Sequence, residues 1–464
     1  MQTGWNTIES MAKRERQYDT VVIGLGKTGL SCARFLAKQG KSFAVADSRD
    51  QPPELDSFKR EYPGIALYLG KLDPVLLGSA RQLIISPGVS AGLPEIRYAV
   101  ANGAELVGDI ELFARHTRVP IVAVTGSNGK STVAALISAM IKEAGFRVAL
   151  GGNFGPPALS FLDTEPPDFF VLELSSFQLE TVRSLNAVTS VVLNISPDHM
   201  DRYAGIEQYT LAKERIYMGS GCMVINRDDG RVSAMAHPDR KVIRFSLGVP
   251  EQGEFGIRKQ NDIEWLCFGP DVLLPCSELR IKGRHNISNA LSALALGSSI
   301  GLSSVSMIST LKRFTGLPHR CEWVAEINKV VWINDSKGTN TGATIAAVEG
   351  LSGLNDIVLI AGGDGKGADF SPLAESVTGR VHAVVLIGRD AGRIAAALEG
   401  KTEIYYSTGI QSAVEMAARL ARPQDKVLLS PACASLDMFK DYQERGQMFM
   451  EAVYRLVLAG ETDA

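Results

Sequence analysis

The 464-residue chain has few cysteines, no long apolar run and little net charge, and each shortage excludes a class of protein. Its six cysteines form no C-x-x-C pair and no zinc spacing, so we expect buried thiols in a reducing compartment. No run approaches the ~18 apolar residues of a membrane span, and serines interrupt the nearest one, residues 290–302, which predicts a core helix. The N-terminus is polar and charged, without the apolar core of a secretory signal, so we predict a cytoplasmic protein.

The charge balance points to small-molecule partners. The formal net charge is −3, with both signs mixed along the chain, whereas a nucleic-acid binder needs a basic face. We therefore expect no nucleic-acid partner. We also expect no membrane insertion, since no long apolar run is present, and a monomer.

Strand patterns alternate with helical patterns from end to end, which predicts an α/β fold with mostly parallel sheets. Breaks near 115–120 and at 316–318 divide the chain into three domains, residues 1–116, 117–317 and 318–464. We expect Rossmann-like first and third domains. The central domain reads as a P-loop-type sheet with a small antiparallel β appendage at 246–282.

The most informative segment is residues 121–132, a short apolar strand followed by a glycine-rich turn and a helix. Such a turn binds phosphate, because its backbone N–H groups and the helix dipole attract anions. Lys130 adds a positive charge, and Ser131 can hold Mg²⁺. The turn is shorter than G-x-x-x-x-G-K-[ST], since Val124 stands at the place of the first glycine. The alternative is a plain glycine-rich turn.

A second glycine-rich turn, Gly24–Gly29, follows the first strand, and Asp47 ends the next strand. Together they are typical of a dinucleotide-binding domain, in which the acid holds a ribose hydroxyl. We find no set of residues for hydride transfer, and such a turn binds any nucleotide diphosphate. Ser86 follows another strand of this domain, at the carboxyl edge where ligands bind.

Polar side chains follow further strands. Glu173 is placed as a Mg²⁺ ligand beside the phosphate loop, and His199 as a ligand or a polar orienting group; the alternatives are an exposed acid and a plain turn. Helix periodicity makes Lys213 an ordinary surface lysine.

The remaining candidates lie later in the chain. Asn286 and Asn289 lie three residues apart on one helix face, where capping or nucleotide contact explains them. Arg320 can reach a phosphate across a cleft. Ser435 reads as close to a helix N-terminus, as a carboxylate site or a plain N-cap. Polar loops after strands also carry Asp335, Lys337, Thr339 and Lys366.

These motifs, in this order, resemble those of the Mur ligases, the ATP-dependent amino-acid ligases of peptidoglycan precursor synthesis. The segments are T-G-S-N-G-K-S-T, L-E-L-S-S-F-Q-L, N-I-S-P-D-H-M-D-R-Y, A-K-E-R-I, G-R-H-N-x-x-N, P-H-R-C-E, N-D-S-K-G-T-N and S-P-A-C-A-S-L-D-M-F. The last four, with G-L-G-x-T-G-L-S, point to the branch that adds D-glutamate. The short phosphate loop is the family's own variant, and we find no D-N-P-R motif of the branch that adds a diamino acid.

The resemblance implies a reaction on which cell shape and division depend. ATP phosphorylates the carboxylate of UDP-N-acetylmuramoyl-L-alanine, D-glutamate attacks the acyl phosphate, and a tetrahedral intermediate expels phosphate. It implies ATP, two Mg²⁺ ions and a CO₂-derived carbamate on Lys213 as cofactors.

The resemblance also implies the roles of individual residues. Lys130, Glu173, His199 and Lys213 are the expected catalytic residues, and Ser131, Glu173, His199 and Lys213 the expected metal ligands. The expected ATP-binding residues are Gly126, Ser127, Asn128, Gly129, Lys130, Ser131, Thr132, Asn286, Asn289, Arg320 and Asp335. The expected binding residues for the UDP-substrate and the amino acid are Gly26, Lys27, Thr28, Asp47, Ser48, Ser86, Asn153, His199, Lys337, Thr339, Lys366, Ser435 and Tyr442.

Three other functions are weaker. A folylpolyglutamate synthetase would lack the nucleotide domain that residues 19–115 form here. A nucleotide-dependent switch would want an N-K-x-D motif, which we do not find. An NAD-dependent oxidoreductase leaves the phosphate loop unexplained. In the ligase, we expect the C-terminal domain to close on ATP.

Overall fold

The computed structural model describes residues 18–351 and 353–462. The charged N-terminal segment on which the secretory-signal prediction rests lies outside the described residues. Among those that are described, no helix is both long and apolar enough to cross a membrane.

Strands and helices alternate through most of the chain. The strands are β1 Thr20–Ile23, β2 Phe43–Asp47, β3 Leu67–Leu69, β4 Gln82–Ile85, β5 Glu105–Gly108, β6 Ile121–Thr125, β7 Val148–Gly152, β8 Phe169–Glu173, β9 Thr189–Val192, β10 Cys222–Asn226, β11 Val242–Phe245, β12 Phe255–Gln260, β13 Ile263–Phe268, β14 Asp271–Pro275, β15 Glu322–Ile327, β16 Val330–Asn334, β17 Ile357–Gly362, β18 Val381–Ile387, β19 Glu403–Tyr406 and β20 Lys426–Leu429. The helices are α1 Lys27–Lys38, α2 Leu55–Glu61, α3 Pro74–Ser79, α4 Pro94–Ala101, α5 Asp109–His116, α6 Lys130–Glu143, α7 Ser176–Leu179, α8 Ile206–Glu214, α9 Gly230–Ser233, α10 Arg284–Ser299, α11 Ser304–Arg313, α12 Thr341–Leu351, α13 Ser371–Val377, α14 Ala391–Leu398, α15 Ile410–Leu420 and α16 Tyr442–Thr462.

The chain divides into two compact units. The first takes in the chain up to Thr125 together with Phe146–Ser190 and Leu211–Cys222. The second takes in Gly126–Gly145, Val191–Thr210 and the chain from Met223 onward.

The first unit contains a five-stranded parallel sheet in the order β3-β2-β1-β4-β5. All residues of β1 and β2 are buried, as their continuous apolar sequences require in a sheet that is covered on both faces. In the same unit β8 pairs in parallel with β6 and with β7. The carboxyl ends of β1, β2 and β4 meet at one edge, where the turn after β1 lies.

In the second unit the predicted β appendage is present. Strands β12, β13 and β14 pair antiparallel, and β11 pairs in parallel with β10. The apolar run at 290–302 falls mainly in α10, whose residues Ala290–Gly297 are all buried, so the core-helix prediction is confirmed.

The C-terminal sheet of the second unit has six strands in the order β15-β16-β20-β17-β18-β19. All its pairs are parallel except β15 with β16, which is antiparallel. The loops after β16, β17 and β20 therefore meet at one edge of the sheet, and these loops carry predicted site residues. The predicted α/β fold with mostly parallel sheets is confirmed.

The cysteine prediction holds only in part. All six thiols are free, and four are buried, but Cys276 and Cys321 are only half-buried. Cys321 is half-exposed because it lines a cavity described below.

Asp109, at the start of α5, is a buried carboxylic acid that gives a test of the first unit. Its Oδ2 accepts a hydrogen bond from Gln178 Nε2 at 3.1 Å, and its Oδ1 has no hydrogen-bond partner in the described structure. Burial raises the pKa of Asp109 to about 6, since the charged form is poorly solvated.

We expect the replacement Asp109→Asn to change how stability depends on pH. A pKa that is higher in the folded state than in the unfolded state stabilises the protein at low pH, and this stabilisation is lost as the pH rises through about 6. The free energy of unfolding of the wild type, relative to Asp109→Asn, should therefore fall by up to about 3 kcal/mol between pH 4 and pH 6.5. Urea unfolding at both pH values measures this difference, and parallel pH profiles would contradict the assignment.

Candidate active site

The phosphate loop has the strand–turn–helix geometry that the sequence predicts. Gly126 and Gly129 take positive φ values of 152° and 85°, and α6 begins directly after Gly129 without a side-chain cap. The loop is held from behind by Asn194, whose backbone carbonyl accepts from Ser127 N at 2.9 Å and whose Oδ1 accepts from Asn128 N at 2.8 Å. The start of α6 is therefore suited to an anion.

Lys130 lies folded over this loop. Its Nζ donates to the carbonyl oxygens of Gly126 and Ser127, both at 2.9 Å. The ammonium group thus lies over the turn, where it would contact a bound phosphate.

Gly129 is fixed by close packing as well as by its φ. A Cβ atom at this position would lie 2.4 Å from Asn289 Oδ1 and 3.3 Å from Leu193 Cδ1. We expect Gly129→Ala to displace the loop and to weaken binding of an ATP analogue by at least about ten-fold, measured by calorimetry.

Gly145→Ala is the matched control for this loop variant. Gly145 follows the other end of α6 with nearly the same φ, 88°, but a Cβ there meets nothing within 4 Å. The control should lose about 1 kcal/mol of stability and keep its affinity. Equal nucleotide affinities for the two variants would contradict the packing argument.

A cavity of about 490 Å³, which we call the phosphate-loop cavity, lies beside this loop. Eight of its lining residues were predicted from the sequence: Asn128, Gly129, Thr132, Asn286, Asn289, Arg320, Asp335 and Lys337. Its size suits a nucleotide. Ser131 lies next to the loop, and its Oγ accepts from Arg320 Nη2 at 2.7 Å.

Asn286 and Asn289 share a face of α10, as their spacing predicts. Asn289 Nδ2 donates to Asn286 Oδ1 at 3.0 Å, and Asn286 Nδ2 donates to the carbonyl oxygen of Lys282 at 2.8 Å. The pair forms one wall of the phosphate-loop cavity.

Asp335 brings a buried acid to the same cavity. Burial raises the pKa of Asp335 to about 6, although hydrogen bonds from Ser430 Oγ at 2.7 Å and from Cys321 N at 3.2 Å stabilise the charged form. The carboxylate is therefore mostly ionised at neutral pH and can accept hydrogen bonds from a sugar hydroxyl group.

A second cavity of about 380 Å³, the Lys366 cavity, is lined by the predicted residues His199, Thr339 and Lys366. Burial lowers the pKa of His199. The positive charges of Lys366 and Lys130 lower this pKa further, whereas the negative charge of Asp198 raises it. His199 is therefore a neutral imidazole at physiological pH, with one nitrogen available as an acceptor or a metal ligand.

Ser435 departs from the sequence prediction. It is buried, but no helix starts there: its carbonyl accepts from Phe439 N at 2.8 Å in a turn, and the next helix begins only at Tyr442. The predicted helix N-terminus at Ser435 is therefore wrong. Tyr442 does approach the site, because Lys337 Nζ lies 3.9 Å from the centroid of its ring.

In the first unit a cavity of about 530 Å³, the N-terminal cavity, gathers seven predicted residues: Gly26, Lys27, Thr28, Asp47, Ser48, Ser86 and Asn153. Arg49 and Gln178 also line this cavity, and neither was predicted from the sequence. An arginine two residues after the strand-end acid is the signal that could have revealed Arg49.

Asp47 holds the glycine-rich turn in place. Its Oδ2 accepts from Leu25 N at 2.7 Å and from Arg49 Nη2 at 2.7 Å. Hydrogen bonding to Arg49 and to the backbone keeps the pKa of Asp47 below its usual value although burial opposes this. A role for Asp47 in holding a ribose stays a prediction.

Lys213 is not a surface lysine, and the expectation from helix periodicity is wrong. Its side chain is buried, with the residue 1% exposed, and its Nζ lies 3.4 Å from Thr125 Oγ1 at the end of β6. Glu173 is also buried, at the end of β8, where its Oε1 accepts from Asn153 Nδ2 at 2.8 Å. Both lie in the first unit.

Within residues 18–351 and 353–462 no metal site made only of protein carboxylates, histidines or cysteines is found. The described residues contain no group of three or more His, Cys, Asp or Glu side chains that could hold a metal ion. Mg²⁺ in a nucleotide site needs only one or two protein ligands, since phosphate oxygens and water supply the rest. Ser131, beside the phosphate loop in the second unit, offers a hydroxyl oxygen of the kind that Mg²⁺ binds, and Glu173, in the first unit, offers a buried carboxylate.

Comparisons with known proteins agree with the motifs. Family models match the chain in order: "Mur ligase MurD-like, N-terminal domain" at residues 18–108, "Mur ligase middle domain" at 124–297 and "Mur ligase, glutamate ligase domain" at 319–433.

Close relatives are found at high coverage. A protein of Nitrosococcus oceani named UDP-N-acetylmuramoylalanine–D-glutamate ligase is 52% identical over 94% of this chain and 97% of its own. A Pseudomonas aeruginosa protein of the same name is 50% identical over 94% of this chain and 98% of its own.

Solved structures share the fold. The UDP-N-acetylmuramate–alanine ligase of Thermotoga maritima superposes with a TM-score of 0.58 at 17% identity, over 95% of this chain and 100% of that one. A pseudomurein peptide ligase type C of Methanothermus fervidus gives 0.58 at 19% identity, over 94% and 100%. Three family models match the chain in succession, and relatives about 50% identical to it align with nearly its whole length. The chain therefore belongs to the Mur ligase family.

Proposed function

We propose that the protein is an ATP-dependent ligase of peptidoglycan precursor synthesis, which joins UDP-N-acetylmuramoyl-L-alanine to D-glutamate through an amide bond. The observation that carries the proposal is the 50–52% identity to ligases of that name over 94% of the chain. A phosphate loop and three cavities lined by polar side chains support the proposal.

The reaction has two steps. A carboxylate oxygen of the UDP-substrate attacks the γ-phosphorus of ATP, the bond to the β-phosphate oxygen breaks, and ADP leaves. The amine of D-glutamate then attacks the acyl carbon, loses a proton, and the tetrahedral intermediate expels phosphate. All the reactants are anions, so the protein has to neutralise charge and fix positions.

The phosphate-loop cavity is the proposed ATP site. The loop residues Gly126–Thr132 hold the phosphates, and Lys130 neutralises them. Asn286, Asn289, Arg320 and Asp335 contact the rest of the nucleotide. Arg320 already touches Ser131, so its guanidinium is within reach of a phosphate bound at the loop.

The N-terminal cavity is the proposed site of the UDP-substrate. The start of α1, after Gly26, offers backbone N–H groups to a diphosphate. Lys27, Thr28, Ser48, Ser86 and Asn153 line the cavity as further polar contacts. Arg49, which also lines the cavity, supplies a positive charge.

The Lys366 cavity is the proposed place of D-glutamate. Lys366 offers an ammonium group to one carboxylate, and Thr339 a hydroxyl group. Lys337, Ser435 and Tyr442 complete the proposed set.

We propose Mg²⁺ and a carbamylated Lys213 as cofactors of the reaction. The proposed ligand residues are Glu173 and the carbamate of Lys213 in the first unit, and Ser131 and His199 in the second. Two Mg²⁺ ions would supply charge neutralisation at the phosphates. The burial of Lys213, with its Nζ 3.4 Å from Thr125 Oγ1 at the end of β6, supports a role inside the fold and not at the surface.

The rest of the proposal concerns the whole molecule. We propose domains at 1–116, 117–317 and 318–464, with the third closing on bound ATP. We also propose that the enzyme acts as a cytoplasmic monomer on small-molecule substrates.

Phosphate release tests the function. Purified protein with ATP, Mg²⁺ and UDP-N-acetylmuramoyl-L-alanine is assayed against a panel of D- and L-amino acids. We expect release with D-glutamate and a product whose mass equals the two substrates less one water. Equal rates with L-glutamate or D-alanine, or no dependence on the UDP-substrate, would overturn the proposal.

A further inference from the structure

Asn340, in the loop between β16 and α12, uses its side chain on three different segments. Its Oδ1 accepts from the backbone N–H of Ala343 at 2.8 Å, which caps α12. Its Nδ2 lies 3.2 Å from Asn128 Oδ1 and 3.2 Å from Asp198 Oδ2. A backbone N–H only donates and a carboxylate only accepts, so these partners fix the orientation of the amide group.

These contacts lie where two cavities adjoin. Asn128 belongs to the phosphate loop and lines the phosphate-loop cavity, whereas Asp198 and Asn340 line the Lys366 cavity. Ser196 and Gly342 line both. The amide of Asn340 therefore connects the walls of the two cavities, whose relative position matters for the reaction.

Each partner of Asn340 continues into the site. Asn128 N donates to Asn194 Oδ1 at 2.8 Å, so its position is tied to that of the loop. Asp198 Oδ2 lies 3.7 Å from His199 Nε2, and Asp198 Oδ1 accepts from His199 N at 3.0 Å. A shift of Asn340 would thus reach both the phosphate loop and His199.

We propose that Asn340 is a positioning residue, which holds the phosphate loop and the Asp198–His199 segment in register with the Lys366 cavity. Its amide fits this role because it has two donors for two acceptors on separate segments and one acceptor for its own helix. The inference rests on the proposed ligase function, in which the activated carboxyl group and the amine meet beside these cavities.

Two variants separate positioning from helix capping. Asn340→Asp and Asn340→Ser both keep an oxygen that can accept from Ala343 N, so α12 stays capped. Both remove the Nδ2 group that donates to Asn128 and Asp198, and the carboxylate of the first variant also repels Asp198. We expect the KM for D-glutamate to rise by at least about ten-fold and kcat to fall by at least about ten-fold. Each ten-fold change is about the effect of losing one hydrogen bond. The KM for the UDP-substrate should change less than about two-fold.

Ser303→Ala is the matched control for a lost cap. Ser303 Oγ caps α11 by accepting from Ser306 N at 3.2 Å, and it lines neither of the two cavities. Its loss should lower the thermal midpoint and leave the KM for D-glutamate unchanged, whereas the Asn340 variants should show the reverse.

The outcomes separate the two proposals. A wild-type enzyme that does not ligate D-glutamate overturns the proposed function. An active wild type with equally active Asn340→Asp and Asn340→Ser variants overturns only the positioning role. Variants whose lower activity follows their loss of folded protein, with the KM for D-glutamate unchanged, also overturn it.

Discussion

Replacing Lys130 by alanine is expected to abolish ligation while leaving the protein folded. The turnover number should fall by at least about 1,000-fold in the phosphate-release assay, the upper range for loss of one charge-stabilising group at a reaction centre. We expect a smaller effect from every other side chain of the loop, since Lys130 is the only positively charged residue in the sequence of Gly126–Thr132.

The structure explains why folding should survive this change. Lys130 is half-buried, and its Nζ donates to two carbonyl groups of its own loop, Gly126 O and Ser127 O. Alanine has the higher helix propensity and keeps α6 intact. The thermal midpoint should therefore change little, and the loss should appear in catalysis.

Lys142→Ala is the control for Lys130→Ala. Lys142 lies in the last turn of the same helix and is exposed, so the same chemical change is made away from the loop. Its activity should equal that of the wild type. If Lys130→Ala also turned over at a near-normal rate, the assignment of the loop to ATP would be wrong.

The phosphate loop could be predicted because its signal is local. A buried strand, glycines at positions of positive φ and a helix start all lie within residues 121–132, and no distant contact is needed to recognise them. The glycine-rich turn, Asp47 and Ser86 of the N-terminal cavity could also be predicted, since they follow the carboxyl ends of neighbouring parallel strands. Asn153 was implied only by the family resemblance.

Lys213 could not be placed in this way because α8 reverses the usual amphipathic pattern. Leu211 is 61% exposed, whereas Tyr209 and Lys213, four residues apart on one face, are both 1% exposed. Periodicity assumes that apolar side chains face the core, so it assigns Lys213 to the surface. Only the family resemblance singled it out.

Other errors have the same origin in tertiary structure. Strands β3, β15 and β19 are hard to predict from sequence, because they lie at sheet edges and are only partly buried, so their apolar pattern is weak. Ser435 precedes a turn that delays the helix to Tyr442, and the turn closes through backbone hydrogen bonds that the sequence does not reveal.

Replacing Lys213 by alanine is expected to collapse activity, and short-chain carboxylates should restore part of it. In the proposed enzyme Lys213 acts as an anion, because reaction of its amine with CO₂ gives a carbamate that can bind Mg²⁺. Alanine at this buried position leaves space beside Thr125, which formate or acetate can enter. We expect a loss of at least about 100-fold and recovery of several-fold with added carboxylate, measured by phosphate release.

One further variant, together with Lys130→Ala, decides between an anionic and a cationic Lys213. Lys213→Arg keeps a positive charge but has no amine that can be carbamylated, so it should be as inactive as Lys213→Ala. Carboxylates should not restore Lys130→Ala, since the missing group there is a cation. An active Lys213→Arg, or a fully active Lys213→Ala, would show that no carbamate is needed. Recovery of Lys213→Ala alone would place an anion beside Thr125, where helix periodicity by itself predicts a solvent-exposed lysine.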